Sequence, residues 1–162
     1  MMVSWQIQAH VWFAARGIRV DSIASEPTPI YNCIAWAVEE TKKRWWPDPN
    51  PGWHWPLPIA GDTVNDFVAM FRTRGYEVCA DGALEPGFKK IAIYADHAGH
   101  VKHAARQLPS GEWTSKLGRF VDVLHTPDQL EGARAAEFEY GSVAQYMRCP
   151  SPALPVQVAP VP

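Results

Sequence analysis

His100-Val101-Lys102-His103-Ala104-Ala105-Arg106-Gln107-Leu108, Pro109-Ser110-Gly111 and Glu112-Trp113-Thr114-Ser115-Lys116-Leu117 read as strand, hairpin turn and returning strand. Just before them, Lys90-Ile91-Ala92-Ile93-Tyr94-Ala95 is a strand that turns around Asp96 to Gly99. Just after them, Phe120-Val121-Asp122-Val123-Leu124-His125 is a further strand, and Ser142 to Met147 another. The earlier half of the chain is helical in pattern. Helices first and an antiparallel meander second make an α+β layout, not an alternating parallel one.

Working back toward the N-terminus, Asp62-Thr63 caps a helix whose apolar face is Val64, Phe67, Val68 and Phe71, with Gly75 ending it. Tyr76 to Ala80 then alternates as a strand, with Cys79 expected to face a core, and Asp81-Gly82 is a turn signal. Residues 45–58 carry four tryptophans among recurrent prolines, which excludes both a helix and a central strand. Such a loop either plugs the core or lines a cleft, and Trp46, Trp53 and Trp55 are the candidates for contacting a substrate. Asn32 is of N-cap type and opens a helix predicted to run from Cys33 to about Arg44. Residues 1–20 are compatible with a short strand or a helix. One domain over 1–150 and a flexible, Pro-rich tail over 151–162 complete the organisation.

A net charge of −2 gives no electrostatic footprint for nucleic acid or an anionic membrane. No apolar run reaches the length of a membrane span, and the N-terminus lacks the pattern of a signal peptide. Three cysteines, Cys33, Cys79 and Cys149, form an odd set at spacings that match neither a disulfide nor a zinc framework. The expectation is a chain made in the reducing cytoplasm, delivered elsewhere only by a machine that needs no signal peptide, with no metal and no cofactor.

The candidate chemistry begins at Cys33. In the first turn of a helix, free N–H groups and the helix dipole favour a thiolate. The opposing reading is a buried cysteine acting as a small hydrophobe. A nucleophilic thiol needs an imidazole to exchange its proton and a third polar group to orient that ring. Of six histidines, His103 is the best placed, within a strand whose partner folds directly back. His100, three residues away, would point to the opposite face. For the third member Ser115 ranks first on proximity, Asp122 second and His125 third; failing these, the pair works as a dyad or a backbone carbonyl orients the ring.

Tyr31-Asn32-Cys33-Ile34-Ala35-Trp36-Ala37, Trp45-Trp46-Pro47, Lys90 to Tyr94, His103-Ala104-Ala105-Arg106-Gln107-Leu108 and Gly111-Glu112-Trp113-Thr114-Ser115-Lys116-Leu117-Gly118 resemble an uncharacterised bacterial family of small domains over residues 28–148. The arrangement is also similar to the papain-like, NlpC/P60-type cysteine hydrolases, in which a Cys-headed helix packs on an antiparallel sheet carrying His. That resemblance implies Cys33 as nucleophile and His103 as base. No His, Asn or Asp directly follows on the next strand, so the third member departs from the pattern.

Two function classes follow. The first is a cysteine hydrolase of amide bonds (a peptidase, a peptidoglycan amidase or a deamidase) in a bacterial effector or toxin setting. Its partners would be a protein, peptide or peptidoglycan substrate and a cognate inhibitor protein. The alternative is a non-enzymatic interaction module with a Trp-rich surface, since tryptophan is enriched at binding hot spots.

Overall fold

The computed structural model describes residues 4–19, 22–132 and 140–151. The expected tail over 151–162 lies, but for Ser151, outside the described residues. The opening segment is a helix, α1 (Ser4–Arg16), followed by α2 (Cys33–Ala37), β1 (Arg44–Trp45), β2 (Trp53–His54) and α3 (Val64–Arg72). Six strands come next: β3 (Glu77–Cys79), β4 (Phe88–Ala95), β5 (Val101–Gln107), β6 (Trp113–Lys116), β7 (Asp122–His125) and β8 (Ser142–Pro150). Among the described residues, no helix is long and apolar enough to cross a membrane.

The fold is mixed α and β around one antiparallel sheet of order β3-β8-β4-β5-β6-β7. β4 to β7 are the expected meander. The last strand, however, returns to insert between β3 and β4, and so sits beside the middle of the sheet rather than at the end of the meander. β4 explains why its sequence is continuously apolar: it is covered on both faces. Ile91 and Ile93 belong to one core with Cys33, Ile34, Phe67, Phe71 and Ala104. Ala92 and Tyr94 belong to a second, with Trp12, Phe13, Ala105, Trp113 and Val123. The N-terminal helices therefore do not form one layer. α2 and α3 cover one face, and α1 covers the other.

α2 is five residues long instead of the twelve expected. Glu39 adopts φ 64°, and Glu40 N–H turns back to Ala35 O at 2.9 Å. A left-handed residue at this position closes a helix end as glycine usually does. Glu39 is then held by Lys89 at 2.8 Å and Arg106 at 3.4 Å. α3 follows its sequence signal closely, with Thr63 and Asp66 forming a capping box. Cys79 is half-buried and not in the core, because β3 is an edge strand flanked only by β8.

The tryptophan loop is anchored on both sides. β1 and β2 pair in parallel, Arg44 with Trp53 and Trp45 with His54. Trp45 is 3% exposed, while Trp46 and Trp55 lay their rings against Phe67 at 5.1 and 5.0 Å. Burying rings of this size is a large apolar contribution, roughly 1.5–3 kcal/mol for a full side chain. Trp53 sits under the Arg44 guanidinium at 4.2 Å.

Candidate functional site

Asn32 builds the start of α2. Its Oδ1 accepts from Ala35 N–H (3.2 Å) and Trp45 N–H (3.0 Å), and its Nδ2 donates to Trp45 O (2.8 Å). One amide thus caps the helix and ties it to the tryptophan loop, which fixes the backbone that presents Cys33.

Cys33 enters the sheet where β5 and β6 part. Leu108 N–H reaches Glu112 O at 2.7 Å, so by the two-residue period the N–H groups of Arg106 and Ala104 also point toward β6. The pairing stops at Arg106 with Thr114. Beyond it, the backbone N–H groups of Ala104, Ile34 and Cys33 itself act on the Cys33 sulfur and lower its pKa. These donors and the positive Lys116 favour the thiolate, yet burial outweighs them and pushes the thiol up to about 11. With only five residues in α2, little macrodipole is available to help.

His103 does not meet Cys33 as expected. Ala104 faces α2, so its neighbour His103 projects from the other face, as do Ala105 and Gln107. Its ring stacks on Tyr140 at 4.0 Å and stands edge-on to Tyr94 at 5.4 Å. It is wholly buried, and neither ring nitrogen has a hydrogen-bond partner, Cys33 included. Burial, with the nearby His125, holds its pKa well below the ordinary histidine value, so the ring is neutral.

Ser115 also corrects the expectation. It shares His103's face of the sheet but bonds His125 instead, Oγ to Nε2 at 2.6 Å. His125 Nδ1 lies 2.8 Å from Thr126 O. A carbonyl only accepts, so Nδ1 carries the proton and bare Nε2 accepts from the Ser115 hydroxyl. Burial draws His125 down to about 4. Asp122, on the α2 face, accepts from Tyr31 Oη at 2.7 Å and is not a partner of His103. His100 is exposed and bound to Asp62 at 2.7 Å. Trp46 and Trp55 pack on α3 rather than beside the thiol, and Trp53 turns toward Arg44.

Around Cys33 the structure gathers residues that the sequence did not single out. Lys116 is fully buried on the α2 face, its Nζ donating to Phe120 O and lying 5.3 Å from the Tyr31 ring centre. Trp36 stacks with Tyr31, donates to Thr114 Oγ1 at 3.3 Å and carries the Arg106 guanidinium above it at 4.2 Å. A lysine one residue past Ser115 in a strand of alternating faces was the available signal. No group of three His, Cys, Asp or Glu side chains suited to a metal occurs among the described residues.

No curated protein matches the chain, and no solved structure does. A protein-family model, that of a domain of unknown function (DUF7689), matches residues 22–148. The matched segment contains Cys33, His103, Lys116 and every strand of the sheet up to Arg148 in β8. Because that match takes in well over half of the 162 residues, the chain belongs to the DUF7689 family.

Proposed function

We propose that the chain is a thiol-dependent amide hydrolase of papain-like type, with Cys33 as its nucleophile. The observation that carries this reading is the place of Cys33 at the head of α2, which packs on β5 and β6 where their pairing stops. The backbone N–H groups of Ala104, Ile34 and Cys33 and the charge of Lys116 all favour the thiolate there. The same N–H groups suit an oxyanion in an adjacent position.

In this mechanism the Cys33 thiol gives up its proton to water, and the sulfur attacks the amide carbonyl carbon. Collapse of the tetrahedral adduct breaks the C–N bond, and the leaving amine takes a proton from water. Water then hydrolyses the thioester and restores the thiol. A peptide, peptidoglycan or glutamine side chain is the substrate class, Trp36 and the Arg44–Trp53 pair offering aromatic surface to it.

Burial supports a second reading, an interaction module in which Cys33 only packs: the residue is 8% exposed and its thiol is hard to ionise. Iodoacetamide labelling with peptide mapping separates the two. The hydrolase reading expects Cys33 to alkylate ahead of Cys79 and Cys149, and Cys33→Ala to abolish amide hydrolysis with the fold retained. A Cys33 that stays unlabelled in the folded protein while the other two react would leave only the module.

A further inference from the structure

We propose that Lys116 is the positioning residue that supplies positive charge to the Cys33 thiolate. The inference rests on the reading of Cys33 as nucleophile. A thiolate in a buried setting needs a neighbouring cation. α2 is too short to provide much through its dipole, and His103 is neutral and on the opposite face.

Lys116 is on the right face. It pairs in register with Asp122, whose carboxylate holds Tyr31, and its own Nζ lies over the Tyr31 ring two residues before Cys33. β6 at Lys116 is also the strand segment that β5 leaves unpaired where the sulfur enters. The charges of Lys116 and Cys33 act on each other in both directions: the thiolate favours the ammonium, and the ammonium favours the thiolate. Burial works against the ammonium, and Asp122 offsets it. The other groups facing this region are Tyr140 from the opposite side and Arg106, which is committed to Glu39 and the Trp36 ring.

A fully buried lysine is a poor structural choice, since desolvating an ammonium is expensive and an apolar residue of similar volume would fill the space. Its Nζ is kept in place by one carbonyl and one aromatic face, with a carboxylate across the strand pair. That arrangement keeps an ammonium on the face of the sheet where the sulfur becomes negative.

The test is the pH dependence of Cys33 alkylation by iodoacetamide in the full chain. Lys116→Met is expected to move the midpoint upward by at least one pH unit, a roughly tenfold lower rate at a fixed pH below it. Lys116→Arg should keep the midpoint, and His103→Gln, a change on the other face of the sheet, should leave it in place. Because a lone Asp122 could unfold Lys116→Met, the double variant Lys116→Met/Asp122→Asn removes both charges, with circular dichroism checking the fold. An unchanged midpoint in a folded double variant overturns the proposal, as does a Lys116→Arg shift equal to that of methionine. A wild-type Cys33 that never alkylates sinks the nucleophile reading and this inference together. A reactive Cys33 indifferent to Lys116 sinks only the latter.

Discussion

Asn32 and Trp45 exchange two hydrogen bonds, Nδ2 to the Trp45 carbonyl at 2.8 Å and the Trp45 N–H to Oδ1 at 3.0 Å. The same Oδ1 caps α2 through Ala35 N–H. A helix of five residues is well below the length that sustains itself, so this side chain is what holds it. Asn32→Ala should cost roughly 2–3 kcal/mol, from the lost cap and two buried backbone groups left without partners. Asn32→Asp keeps the acceptor but places a carboxylate against the Trp45 carbonyl, and should recover only part. Chemical denaturation of the three proteins checks the order. Equal stability of wild type and Asn32→Ala would show that the loop holds α2 by packing alone.

The legible part of this fold was local. Thr63, Asp66 and the Phe67–Phe71 stripe announce α3, and the Pro109-Ser110-Gly111 turn announces the β5–β6 hairpin. Two kinds of information were not local. The left-handed turn at Glu39 has no glycine to mark it, so the polar residues after Ala37 looked like the exposed side of a longer helix. The insertion of β8 beside β4 depends on pairing over about 50 residues of sequence, which no turn signal specifies. The candidate site failed for a related reason. Cys33 and His103 are both legible as chemistry, but which face of β5 the helix covers is set by Ile91, Ile93 and Ala104, small or aliphatic residues that could equally face either core.

Two buried neutral histidines predict an acid-sensitive fold. His103 and His125 both have folded pKa values below the unfolded one, near 6.5, with His125 at about 4. The folded state therefore binds fewer protons than the unfolded state below pH 6.5. Their contribution is fully present above that pH and is lost as pH falls toward 4. Each histidine adds a slope of about 1.4 kcal/mol per pH unit in that window. Urea midpoints measured from pH 7.5 to 4.5 should fall steeply, and His103→Gln should flatten the fall by about one proton. A slope identical in wild type and His103→Gln would mean that His103 is protonated in the folded state.

Ser115 bonds His125, so its role is structural on the far side of the sheet from the thiol. Ser115→Ala leaves the Nε2 of a 6% exposed ring without its donor, a loss of roughly 1–3 kcal/mol. The pH midpoint of Cys33 alkylation should not move. Nitrogen NMR of wild-type His125 should place the proton on Nδ1, facing Thr126 O. A proton on Nε2 would reverse the bond direction, and a shifted alkylation midpoint would return Ser115 to the site.

Tyr31 Oη donates to Asp122 Oδ2 at 2.7 Å across 91 positions of sequence, and Asp122 Oδ1 has no hydrogen-bond partner. Asp122 is also fixed through its backbone: its N–H donates to Ser25 Oγ at 2.9 Å, and its carbonyl accepts from Ala24 N–H at 2.9 Å. Rotation away from the core is thereby prevented, and the carboxylate depends on the phenol. Tyr31→Phe removes only a hydroxyl but leaves a 2% exposed carboxylate without any side-chain donor. Bonds to charged groups are the stronger kind, so the loss should be about 2–3 kcal/mol. Asp122→Asn alone should cost less, because an amide oxygen still accepts from Tyr31 and the charge is gone. In the double variant the second change should cost little or restore stability, giving a coupling energy of at least 1 kcal/mol in a double-mutant cycle. Strict additivity would mean that Lys116, across the strand pair, already holds the carboxylate and that the Tyr31 bond is incidental.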